Sequence, residues 1–155
     1  MKGRAGFTLV ETMLAIVIVG VLSVMAYPRV SRALVRNDLR AARTRVVNMI
    51  SAARAAASQG GRSGSVLKFN GNTAVVTASP RRTVGGSGTE DTLGTVFNLY
   101  TTYGTTMSVS NGATQLAFDP RGIAANVSQQ PVTVTLTRGG YSQQVLIDML
   151  GRVTK

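Results

Sequence analysis

The chain has 155 residues, 17 basic and 6 acidic side chains, a net charge of +11, and neither histidine nor cysteine. That composition excludes histidine-assisted serine and cysteine nucleophiles, the usual zinc ligand sets and any disulfide, so an enzyme is the least supported class. The length suits one small domain plus an apolar N-terminal segment, and the lack of cysteine leaves the compartment open.

The N-terminal segment begins with a short basic leader, Met-Lys-Gly-Arg-Ala-Gly6, followed by Phe7-Thr-Leu-Val-Glu11 and then no charged residue over 12–28. As a helix, residues 7–27 would measure about 32 Å at ~1.5 Å per residue, long enough to cross a bilayer core. A secretory signal places its cleavage site after the apolar centre, whereas here the leader and its glycine come first. Glu11 is the one acid in this segment. A carboxylate there is costly unless paired, which makes it a functional candidate; the alternative is an anchor whose Glu11 snorkels to the headgroups.

This arrangement resembles the class III leader of type IV pilins and of the pseudopilins of type II secretion. The resemblance implies that a prepilin peptidase cuts between Gly6 and Phe7 on the cytoplasmic side, that Phe7 is N-methylated, and that the apolar helix is retained. It makes Glu11 the assembly carboxylate, paired with the Phe7 amine of a neighbouring subunit and setting the axial register of a growing filament. Loss of residues 1–6 would leave 15 basic and 6 acidic side chains, a net of +9.

Beyond Pro28 the helical pattern becomes amphipathic. Val35, Leu39, Ala42, Val46, Ile50, Ala53 and Ala57 share one face at helical spacing. Arg29, Arg32, Arg36, Arg40, Arg43 and Arg54 form a second stripe within about 80° on the helical wheel, with Asp38 opposite. These spacings predict one helix from about residue 8 to residue 58, interrupted or kinked near Gly20 and Pro28 and ended by Gly60-Gly61. Six arginines lie within 20 residues beyond the apolar segment, so the positive-inside rule alone would keep the C-terminal part in the cytoplasm. The leader resemblance implies the reverse. The stripe is open to three readings: a solvated face, a contact for anionic headgroups, or a contact for acidic neighbours in a fibre.

From Gly61 the texture turns to glycine, serine, threonine and short β-branched runs. Residues 65–69 and 73–79 flank Asn70-Gly71-Asn72 and predict a hairpin. Residues 80–95 read as a loop, with Glu90-Asp91 solvated. The run Gly85-Gly-Ser-Gly88 lacks the Lys-Ser/Thr of a phosphate-binding loop, so it reads as linker. Further strands are expected at 95–100, 106–110, 115–118, 132–137 and 143–148, with a short one after Gly151. The fold class is therefore α+β: a long N-terminal helix, its second half packed on an antiparallel β domain of six to eight strands. The expected divisions are a leader (1–6), a transmembrane or filament-core helix (7–28), an amphipathic helix half (29–59) and a β-rich head (60–155).

Phe118-Asp-Pro-Arg-Gly122, a later glycine-turned hairpin and Gly151-Arg152-Val153 resemble the GspH/FimT-type minor pilins, the branch that includes the H-type pseudopilin of type II secretion. On the residues alone, Asp119-Pro-Arg-Gly122 is an ordinary type I turn. The resemblance implies a pilin-like fold and a structural, non-enzymatic minor pilin or pseudopilin with no cofactor or metal. Its location would be the inner membrane, N-terminus cytoplasmic and head periplasmic, before incorporation at a filament tip or initiation complex. The implied partners are prepilin peptidase, other pilins or pseudopilins in a hetero-oligomeric filament, and an inner-membrane assembly platform. Some members bind DNA during uptake through a C-terminal Gly-Arg-x-Arg. Here Thr154 replaces the second arginine, and Arg138, Arg152 and Lys155 are the candidate DNA contacts. The head from Gly60 has a net charge of +4, while residues 29–54 have +6.

Overall fold

The computed structural model describes residues 8–59, 64–79, 90–125, 131–148 and 150–154. They divide between two compact units, Met1–Arg36 and Asn37–Lys155. Helix α1, Leu9–Ser58, runs through both. In the first unit its apolar side chains, among them Leu14, Val17, Val21 and Leu22, are exposed, and the helix is long and apolar enough to cross a membrane. An apolar surface on all sides of a helix is stable in lipid or among other helices and unfavourable in water.

The expected interruption near Gly20 and Pro28 is absent, and α1 is continuous through both residues. Proline deletes one helical hydrogen bond and crowds the preceding turn, but the neighbouring turns keep their own bonds. Two carbonyls also gain side-chain donors: Ser23 Oγ donates to Val19 O at 2.7 Å, and Arg32 Nε to Pro28 O at 2.9 Å.

In the second unit the helix meets two antiparallel sheets. The strands are β1 (Ser65–Asn70), β2 (Thr73–Ala78), β3 (Asp91–Asn98), β4 (Thr106–Val109), β5 (Gln115–Phe118), β6 (Val132–Arg138), β7 (Tyr141–Ile147) and β8 (Val153–Thr154). One sheet has the order β3-β2-β1-β5 and the other β4-β6-β7-β8. The hairpin at Asn70-Gly71-Asn72 forms as expected, with Asn70 opposite Thr73. The largest boundary differences are at β3, while the other strands shift by at most two residues. Strand β3 begins at Asp91, inside the expected loop, because Thr92 and Leu93 pair with Thr77 and Val76. It ends at Asn98, whose side chain accepts from the amides of Tyr100 (2.9 Å) and Thr101 (3.2 Å) and so starts a short helix, α2 (Leu99–Tyr103). The expected loop's Arg81, Arg82 and Gly85-Gly-Ser-Gly88 lie outside the described residues.

The core confirms the helical face. Leu39, Ala42, Val46, Ile50, Ala53 and Ala57 are buried, joined by Met49 and Ala56, while Val35 is half-buried. Opposing them are alternate strand residues, among them Leu67, Leu116, Val134, Leu136, Val145 and Ile147. Polar ties fix the helix to both sheets: Ser65 Oγ of β1 donates to Ala53 O at 2.5 Å, and Arg43 Nε donates to Gln144 O of β7 at 3.2 Å. Ile50→Ala should cost roughly 2–5 kcal/mol, as large-to-small changes at fully buried sites do. Leu34→Ala, at an exposed position of the same helix, should stay within about 0.5 kcal/mol. Urea unfolding of the head with its stem from Arg29 checks both.

Candidate functional site

The first candidate site is the start of α1. Gly6 and Phe7 lie outside the described residues. Glu11 is exposed in the first helical turn, and its amide donates to Thr8 O at 3.1 Å and Thr8 Oγ1 at 3.3 Å. Thr8-Leu-Val-Glu11 therefore has the spacing of a capping box, a local signal present in the sequence besides the membrane cost of the acid. The acid sits where the helix dipole is positive, which offsets part of the cost of a carboxylate in an apolar segment. Among the described residues no cation is seen to pair with its carboxylate.

The second candidate site is the C-terminal turn, and it occurs twice. In Asp119-Pro-Arg-Gly122-Ile123 the Asp119 carboxylate accepts from the amides of Arg121 and Ile123, each at 2.9 Å. Asp119 N donates to Ile123 O at 2.9 Å, and Gly122 N to Asp119 O at 2.8 Å. In Asp148-Met-Leu-Gly151-Arg152 the same atoms make the same bonds: Asp148 Oδ1 accepts from Leu150 N (2.9 Å) and Arg152 N (2.7 Å). Asp148 N donates to Arg152 O at 3.0 Å, and Gly151 N to Asp148 O at 2.9 Å. Each turn places glycine fourth, at φ 76° for Gly122 and 70° for Gly151, the left-handed region that other residues avoid. Each also folds an arginine onto its aspartate, Arg121 at 2.9 Å and Arg152 at 2.9 Å.

The two turns touch. A Cβ at Gly151 would lie 2.8 Å from the Phe118 ring and 3.4 Å from Gly122 O, so only glycine allows this approach. From the other side, Arg54 Nε of α1 donates to Gly122 O at 3.1 Å. The expected type I turn at Asp119 is thus one member of a stacked pair that connects the helix to the chain's C-terminal segment.

Arg138 proves to be a clamp. One terminal nitrogen of its guanidinium donates to Asp38 of α1 and to Tyr103 O at the end of α2. Gly104 makes room for it, since a Cβ there would lie 3.3 Å from the guanidinium carbon. Nearby, Arg45 stacks 4.6 Å from the centre of the Phe97 ring, adding a cation–π contact between α1 and β3. Arg138 pairs with Tyr141 at one end of β7, whereas β8 pairs with Leu146 and Ile147 at the other. Arg152 lies opposite Asp148, so at ~3.4 Å per residue it is about 24 Å along that strand from Arg138. Arg152 and Thr154 are exposed and Val153 is half-buried, as strand alternation requires, while Lys155 lies outside the described residues.

The carboxylates are tuned by these bonds. Asp119 is held below its ordinary range first by the Ile123 amide and then by Arg121. Asp148 is lowered by the Arg152 amide and then its side chain. Glu90, exposed beside β3 as expected, is lowered by its pair with Lys68 at 2.7 Å. Among the described residues no three potential metal ligands come together.

A carboxylate lowered in the folded state stabilises that state fully above its unfolded pKa and loses the effect as pH falls through the folded value. The head should therefore lose stability from about pH 4 downward. Asp119→Asn with Asp148→Asn should lower the urea midpoint at pH 7 and flatten its fall between pH 5 and pH 2, since asparagine keeps the amide-accepting oxygen but not the charge. Arg138→Ala should destabilise the head by about 1.5–3 kcal/mol, the range for a hydrogen bond to a charged group.

Comparisons with known proteins agree with this geometry. Residues 1–27 match the prokaryotic N-terminal methylation motif, and residues 37–151 match the type II transport protein GspH. Among solved structures the chain is similar to the type IV minor pilin FimU of Pseudomonas aeruginosa in two crystal forms. The first has a TM-score of 0.56 at 16% identity, covering 77% of this chain and 88% of that one. The second has a TM-score of 0.51 at 15% identity, covering 75% and 90%. At such identities the likeness is one of fold. No curated protein matches the chain. With the GspH match extending over most of its length behind an N-terminal methylation motif, the chain belongs to the GspH family of structural pilin and pseudopilin subunits.

Proposed function

We propose that the protein is a minor subunit of a type IV pilus or type II secretion pseudopilus, added at or near the filament tip by an inner-membrane assembly platform. Prepilin peptidase removes residues 1–6, Phe7 is methylated, and the apolar half of α1 holds the chain in the inner membrane with the head in the periplasm. The observation that supports this reading best is the wholly exposed apolar half of α1 with Glu11 in its first turn. A helix of this kind needs lipid before assembly and other helices after it. Its one carboxylate supplies a directional contact for the Phe7 amine of a neighbouring pilin.

A scaffold role is better supported than DNA uptake. Arg138 is committed to Asp38, and Arg152 is folded over Asp148. These two candidate DNA contacts already have intramolecular partners.

Co-expression with a prepilin peptidase should shorten the chain by its six leader residues and leave an N-methylated Phe7, read by intact mass, and Gly6→Leu should abolish the cut. Glu11→Ala should insert in the membrane normally yet be depleted from sheared filaments. Cleavage elsewhere, or wild-type levels of the mutant in filaments, would overturn the reading.

A further inference from the structure

Just beyond its apolar stretch, α1 holds Arg29, Arg32, Ala33 and Arg36 around a hollow of about 290 Å³. Their spacing puts them on one side of the helix. In a helix, side chains lean toward the N-terminus. Arg32 shows this directly, because its Nε reaches back one turn to Pro28 O at 2.9 Å. The Arg32 guanidinium therefore leans toward the apolar segment.

The distances suit a bilayer. Residues 9–27 span about 28 Å at ~1.5 Å per residue, close to a hydrocarbon core of ~30 Å. Measured from Tyr27 along the axis, Arg29 lies about 3 Å, Arg32 about 8 Å and Arg36 about 14 Å beyond its edge. A headgroup layer is roughly 5–8 Å deep, and arginine's long stem lets Arg36 reach back to it. Acidic protein is a poorer match as the occupant. The chain has no acid over 12–37, and Asp38 is paired with Arg138, so a second copy alongside offers no counter-charge at this height.

We propose that Arg29, Arg32 and Arg36 form a binding site for the phosphodiester headgroup of an anionic phospholipid in the leaflet nearest the head. This rests on the membrane-anchored reading above. The planar guanidinium fork matches phosphate oxygens, and three such groups around one hollow can hold a phosphodiester from several sides. The site would seat the subunit at a fixed depth, with Glu11 buried at the opposite end of the apolar segment. Entry into a filament would then require the lipid to be released.

The test uses the full mature chain purified in detergent and titrated with fluorescent phosphatidylglycerol or phosphatidylcholine, read by anisotropy. Phosphatidylglycerol should bind the wild type far more tightly than phosphatidylcholine, and the preference should fall with salt. A basic residue near an anionic surface contributes about fivefold, so R29Q/R32Q/R36Q should weaken phosphatidylglycerol binding by about a hundredfold at low salt. Arg121→Gln, on the head, should leave it unchanged. Equal affinity for the two lipids, or an undiminished preference in the triple variant, would overturn the proposal. So would competition by soluble glycerophosphate at the same concentration as the lipid, which would make this a general phosphate site. Carbonate extraction of cell membranes separates the two readings. A wild-type chain washed out of membranes defeats the anchored reading itself, whereas a retained chain without lipid preference defeats the headgroup site alone.

Discussion

One continuous helix must satisfy two surroundings, and the rest of the structure depends on how it does so. Over its first half, α1 exposes leucine, isoleucine and valine on all sides, a surface that suits lipid or other helices. Over its second half, one narrow face of Leu39, Ala42, Val46, Ile50, Ala53 and Ala57 is fully covered. The small Ala53 side chain leaves room for Ser65 Oγ to reach the Ala53 carbonyl, a bond that a bulkier helix surface would hold away. The helix supplies the core that the two sheets share.

Arginine does much of the joining. Arg43 and Arg54 of α1 donate to carbonyls of β7 and of the first aspartate turn, and Arg138 of β6 donates to Asp38 of α1. The basic stripe therefore has two roles along its length. Its upper part is used in holding the head, and its lower part, Arg29 and Arg32, adjoins the apolar segment, where the sequence has no acid over 12–37. A net charge of +11 suggests an electrostatic partner such as DNA when read as a total. Read residue by residue, a substantial share of it is internal hardware.

Much of this was legible in the sequence because it is local. The helical period of the core face, the Asn-Gly turn, the spacing of β5 and the leader all depend on neighbours a few residues apart. The departures have equally specific causes. The break expected at Pro28 did not form, since one missing amide does not outweigh intact turns on both sides. Strand β3 starts early because Thr92 and Leu93 gain partners on β2, a tertiary gain that a glycine-rich texture hides. Arg138 stands as a candidate DNA contact on sequence alone because its partner, Asp38, is 100 residues away. The capping-box spacing at Thr8-Glu11 is a local signal too, and it coincides with the acid that a membrane helix makes costly.

The repeated aspartate turn explains how a family motif can be structural rather than catalytic. Each turn needs a carboxylate to collect two amides, a glycine to take the positive φ, and an arginine to balance the charge. Asp119-Pro-Arg-Gly and Asp148-Met-Leu-Gly-Arg supply the same parts with the arginine at different places. Stacking then adds a constraint that neither turn has alone: Gly151 must lack a side chain because Phe118 and the Gly122 carbonyl occupy that space. The glycine of the Gly151-Arg152 pair is thus required by packing against the first turn, whatever Arg152 does beyond its pair with Asp148.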